Sequence, residues 1–81
     1  MNRLELVVEL DAARIDPRAY SVLEPPREES YCLVESGGGF AVYYLERGNH
    51  RDEREFATED EACRNLLTWL LGETSTHLQD A

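Results

Sequence analysis

The chain has 81 residues, 42% of them hydrophobic, with seventeen acidic residues against eight basic ones and a net charge of −9. A chain of this length is one domain that buries only about 60% of its unfolded surface, so its core is thin. The charge argues against binding to nucleic-acid phosphates or to an anionic membrane, because both are attracted by Lys and Arg.

The predicted elements follow in chain order. Arg3 to Ala13 reads as a helix with Leu4, Val7, Val8 and Asp11 on one side. Leu6-Val7-Val8 also suits a strand, but Ala12 and Ala13 extend the helix and Asp16-Pro17 stops it. Ala19 to Leu23 forms a short extended piece, Pro25-Pro26 breaks regular structure, and Arg27-Glu28-Glu29 is a solvated connection. Tyr31 to Glu35 is a strand, followed by a hairpin loop at Ser36-Gly37-Gly38-Gly39. Phe40 to Glu46 is apolar on both sides, Phe40, Val42 and Tyr44 on one and Ala41, Tyr43 and Leu45 on the other, as a central strand would be. Gly48-Asn49 marks the next turn. Arg51 to Phe56 is charged, which suits a sheet edge.

The last helix begins at Thr58-Glu59-Asp60-Glu61, which has the pattern of a capping box. Ala62, Cys63, Leu66, Trp69 and Leu70 then recur at helical spacing, and Gly72 is expected to cap the C-terminus. Glu73 to Ala81 is polar and expected to fray. The predicted fold is α+β in the order α-β-β-β-α. It is a three-stranded antiparallel meander sheet with the helices packed on one face, in a single domain at 1–72 with a tail at 73–81. Val8, Leu33, Val42, Phe56, Ala62, Leu66 and Leu70 are expected to share one core.

No residue pattern points to catalysis, a metal or a cofactor, so the chain is not expected to be an enzyme. Gly37-Gly38-Gly39 lacks the Lys-Ser/Thr and the helix of a phosphate loop. Cys32 and Cys63 lie on apolar faces, where free thiols pack as small hydrophobes, and no CxxC or Cys/His cluster is present. His50 sits in a turn and His77 in the tail. The more informative candidates are for partner binding. One of Tyr43 and Tyr44 must point away from the helices, either to bind a partner or to cover the sheet. Asp52, Glu53 and Glu55 on the charged strand either meet a partner's cationic cleft or are simply solvated. No secretory leader is apparent, and no apolar stretch approaches the roughly 20 residues of a membrane span, so a cytoplasmic location is expected.

The strand and helix order is shared with the double-stranded-RNA-binding domain, and its second half with plant AP2-type domains, but both bind through positive charge that is missing here. A third likeness is closer in residues. Tyr31-Cys32-Leu33, Gly39-Phe40-Ala41-Val42-Tyr43-Tyr44-Leu45-Glu46-Arg47-Gly48, Phe56-Ala57-Thr58-Glu59-Asp60-Glu61-Ala62-Cys63 and Leu66-Leu67 resemble a family of small bacterial immunity proteins encoded beside polymorphic or contact-dependent toxins. The likeness covers about half the chain, Tyr31 to Leu71, with a weaker match at Ala19-Tyr20-Ser21. It implies a cytoplasmic protein that binds a cognate toxin domain and blocks it. An acidic surface would suit a toxin with a basic cleft. It transfers no set of functional residues. The alternative is a small acidic regulatory or adaptor domain, pairing with a second copy through the sheet edge.

Overall fold

Asn2 opens α1 (Arg3–Ala12) with a reciprocal cap. Its side chain accepts the Glu5 N–H at 2.8 Å, and Glu5 Oε1 accepts the Asn2 N–H at 2.9 Å, which satisfies two of the helix's free donors. In the computed structural model, residues 1–78 are described. After α1, a 3₁₀ turn at Pro17–Ala19 leads into β1 (Tyr20–Ser21), and then come β2 (Ser30–Ser36), β3 (Gly39–Glu46), β4 (Asn49–Phe56) and α2 (Glu59–Gly72). The fold is α+β with two helices and one sheet in the order β1-β2-β3-β4.

The sheet has four strands and is mixed, where three antiparallel strands were expected. β1 pairs parallel with β2, Tyr20 opposite Tyr31 and Ser21 opposite Cys32. A two-residue strand leaves little alternation to recognise, and side chains rather than a longer ladder hold it. The Arg27 guanidinium donates to the carbonyls of Tyr20 at 2.6 Å and Pro17 at 3.1 Å. Ser21 Oγ and Ser30 Oγ are 2.7 Å apart and both residues are buried. Arg27 is exposed, as expected of this connection, and its guanidinium also ties the connection between β1 and β2 to the sheet.

The two hairpins are tight. Gly37 and Gly38, at φ 57° and 85°, form a two-residue loop between the paired Ser36 and Gly39. Positive φ at both positions is what a type I′ turn needs. The second loop is Arg47-Gly48, at φ 52° and 76°, one residue earlier than expected, and Asn49 already pairs with Glu46. Gly39 serves a different purpose: a Cβ there would lie 2.5 Å from the Phe56 carbonyl oxygen.

One face of the sheet meets both helices. Leu33 and Val42 join Leu6 and Leu10 of α1, Ala62, Cys63, Leu66 and Leu70 of α2, and Ile15, Tyr20 and Val22 in one buried cluster. Phe56 packs against it, half-buried. Val8 does not belong to it, contrary to expectation, and is 67% exposed. α1 turns Leu6 and Leu10 inward, four residues apart on one stripe, and this carries Leu4 and Val8 to the opposite side. A second buried group, Cys32, Ala41 and Tyr43, lies on the other face of the sheet.

α2 starts at the expected cap, Thr58, although Glu61 reaches back to the Thr58 hydroxyl and not to its backbone N–H. Thr58 Oγ1 accepts the Glu61 N–H at 3.2 Å, and Glu61 Oε1 accepts the Thr58 hydroxyl at 3.0 Å. Its end differs. Gly72 is the last helical residue, and Glu73, at φ −102°, is the cap. Thr76 replaces the glycine cap: its buried hydroxyl lies 3.0 Å from the Leu70 carbonyl and 2.7 Å from that of Glu73. The expected frayed tail is therefore docked over its first part. A 3₁₀ turn runs over Thr74–Thr76, and His77 forms a β-bridge with Ile15. Leu78 donates to the Arg14 carbonyl at 2.7 Å, and Asp16 donates to that of Thr76 at 2.7 Å. The remainder of the predicted tail, 79–81, lies outside the described residues. Among the described residues no helix is long and apolar enough to cross a membrane.

Candidate functional site

β4 is the outer strand of the sheet, and every residue from Asn49 to Glu55 is exposed. Its charge follows from that position, since a strand with one free edge needs side chains that refuse a further strand. The edge is also irregular. The pairing with β3 shifts between Val42 and Tyr44, and Asp52 there has φ 55°. Asp tolerates this left-handed conformation better than most residues, and the bulge re-aims the side chains around it.

The bulge divides the predicted binding residues between two faces. Glu55 pairs with Ala41 on the face turned away from the helices. Glu53 lies there too, its Oε1 2.5 Å from His50 Nδ1. The His50 ring stacks flat on Tyr43, with ring centroids 3.7 Å apart. Tyr43 does point away from the helices, but it is 4% exposed and lies beneath His50. Burial, then the charges of Cys32 and Glu53, raise its phenol pKa above the ordinary value. Tyr43 therefore serves as the floor of a small cluster rather than as a projecting anchor.

Tyr44 lies on the helix side of the same edge. It packs on Tyr31 at 4.7 Å, and Tyr31 meets Trp69 edge-on at 4.8 Å. Arg54 reaches over Trp69 at 5.5 Å, within cation–π range. All three aromatic residues are half-buried. Arg51 pairs with Tyr44 across the strands and donates to Glu46 at 2.9 Å. Burial, then Glu73, Tyr44 and Asp52, raise the phenol pKa of Tyr31 above the ordinary value.

The structure thus places Tyr43, Glu53 and Glu55 on one side of the β4 edge and Tyr44 on the other, with Asp52 in the bulge opposite Tyr43. Sequence reasoning set Arg54 beside the tyrosines but missed Tyr31, Trp69 and His50 as their neighbours. The Tyr31–Tyr44 pairing had a signal in the chain: counting back from a two-residue turn at Gly37-Gly38 sets those tyrosines opposite each other. The contact of Trp69 with this pair depends on how α2 is rotated over the sheet, which spacing alone does not set.

Cys63 lies in the core on the helix side, and Cys32 pairs with Tyr43 on the other face. Burial holds the Cys63 thiol at a pKa of about 11, and it also raises that of Cys32. Among the described residues no three His, Cys, Asp or Glu side chains gather as a metal-binding group. An open groove runs beside the aromatic edge, lined by Tyr31, Tyr44, Arg18, Arg27, Glu29 and Thr76 among others. No family model, no curated protein and no solved structure matches the chain.

Proposed function

We propose that this chain is a cytoplasmic immunity protein that binds a cognate bacterial toxin domain and blocks it without catalysis, metal or cofactor. The observation that carries the reading is the β4 edge, exposed from Asn49 to Glu55 and holding Asp52, Glu53 and Glu55. An exposed edge can enter a cleft, and three acids within four residues of it suit a cationic cleft. The Tyr31–Tyr44–Trp69 row supplies aromatic surface of the kind that contributes most on truncation, while the acids at the rim act chiefly on association rate. The likeness of Tyr31 to Leu71 to small immunity proteins supports the same reading. Pairing of two copies through this edge is opposed by its like charges and its bulge.

The test uses the product of the neighbouring reading frame as the partner. The two proteins should co-purify, and co-expression should relieve the partner's toxicity. Reversing Glu53 and Glu55 to Arg should slow association about tenfold at low salt and flatten its salt dependence. Tyr44→Ala should instead speed dissociation. Unchanged association and dissociation rates across these variants would remove the β4 edge from the interface, and failure to co-purify would remove the partner class.

A further inference from the structure

The first helix carries an apolar face that is left exposed among the described residues. α1 is apolar around most of its circumference: Leu6 and Leu10 are buried in the core, Val7 packs against it, and Leu4 and Val8 are each 67% exposed. A helix with apolar residues on opposite sides belongs between two partners, and α1 has one among the described residues. Leu4 and Val8 stand four residues apart on a single stripe, with Ala12 continuing it, and Glu5 and Glu9 form a parallel stripe beside them. Leu4, Glu5, Val8 and Glu9 line one shallow depression. The sole basic residue of α1, Arg3, is bonded to Glu59 and Glu35.

We propose that this face of α1 docks a basic amphipathic segment of a partner protein, its apolar side chains on Leu4 and Val8 and its Lys or Arg side chains against Glu5 and Glu9. Charge complementarity selects this occupant. A second copy of the chain would bring Glu5 and Glu9 against their own counterparts. Two large apolar side chains are also far short of the roughly 1,200–2,000 Å² that stable association of folded partners buries. A short segment of opposite charge meets neither obstacle and gives a weak, salt-sensitive contact. The surface uses none of the β4 residues, so it stands or falls apart from the toxin-blocking reading.

The probe is a synthetic leucine–lysine peptide of helical periodicity, with a scrambled peptide of the same composition as control, titrated into the isotope-labelled full chain. Amide shifts should concentrate on residues 4–12, and the scrambled peptide should bind more weakly. Leu4→Gln with Val8→Gln should weaken binding about tenfold, as loss of two apolar contacts does. Glu9→Lys should weaken it further at low salt. Both positions are exposed, so circular dichroism should show the fold retained. Equal binding of the scrambled peptide, or shifts centred on β4, would reduce the effect to general charge attraction and overturn the proposal. So would self-association of the wild type in sedimentation that Val8→Glu abolishes, because a second copy would then be the occupant.

Discussion

Gly39 shows how closely a single position can be constrained without an unusual backbone angle. It lies in β3, yet an added Cβ would come 2.5 Å from the backbone oxygen of Phe56 on the paired strand. That neighbour is main chain and cannot rotate aside. Gly39→Ala should therefore push β4 away locally and cost roughly 1–3 kcal/mol, as overpacking does, read as a lowered denaturant midpoint. Gly72→Ala, where nothing lies within 4 Å, is the matched control and should be neutral or mildly stabilising. The two thiols give a second residue-scale expectation. Cys32 and Cys63 are each 0% exposed with raised pKa values, and the thiolate is the reactive form. A thiol-reactive dye should label neither in the native state and both after denaturation. Fast native labelling would show that the core opens far more readily than its packing implies.

Among the elements, α2 carries the most contact between layers, and its two ends are held by different means. Thr58 at its start is legible in sequence because capping there uses residues three apart. Thr76 at its end is not, because its partners, the Leu70 and Glu73 carbonyls, become reachable only when the chain folds back beyond Glu73. Thr76→Val keeps the shape and removes the donor, so it should cost about 1–3 kcal/mol, read in the denaturant midpoint. The same contrast separates what could be read elsewhere. The β2–β3–β4 order and α2 announce themselves through alternation, turn glycines and helical spacing. The inward side of α1 does not, because Leu4, Leu6, Val7, Val8 and Leu10 offer apolar residues in every direction, and packing alone selects Leu6 and Leu10. β1 is held by Arg27 and the Ser21–Ser30 contact, side-chain effects that propensity does not register. At the candidate surface, the acids of β4 are visible in the sequence, but the bulge at Asp52 is not, because one extra residue in a charged run leaves no pattern to read.

The whole molecule is held against its own charge, and pH should act on it from both sides. Asp16, Glu59 and Asp60 have carboxyl pKa values below their ordinary values. The principal causes are the hydrogen bond from the Arg18 side chain, the Arg3 backbone N–H, and the N-terminal amine, respectively. Depressed values in the folded state mean that this stability is present above the unfolded carboxyl range and is lost as pH falls below it, through the folded values. Cys63 works in the opposite sense. Its pKa is raised by burial to about 11 from 9.0, so its contribution is intact below pH 9 and is lost as pH rises from there toward 11. Deprotonation adds to the net charge of −9, and self-repulsion then grows. Unfolding midpoints measured from pH 2 to 11 should trace a plateau falling at both ends. Cys63→Ala should flatten the alkaline limb while leaving the acid limb in place. An alkaline limb that is identical in the variant would assign it to the buried phenols instead.

The seam of contacts between residues far apart in sequence has a consequence in time. The N-terminal amine reaches Asp60 across 59 residues, and Ile15 bridges His77, whereas the β2–β3 and β3–β4 hairpins join near neighbours in sequence. Closing a long loop costs more entropy than closing a short one, so the hairpins should be formed in the transition state and the seam should close after it. Changes that form late raise the unfolding rate and leave the folding rate nearly alone. In a chevron plot, Ile15→Val should lift the unfolding limb, while Leu33→Ala should lower the folding limb. The hairpins then govern how quickly the native state is reached, and the seam governs how long it lasts.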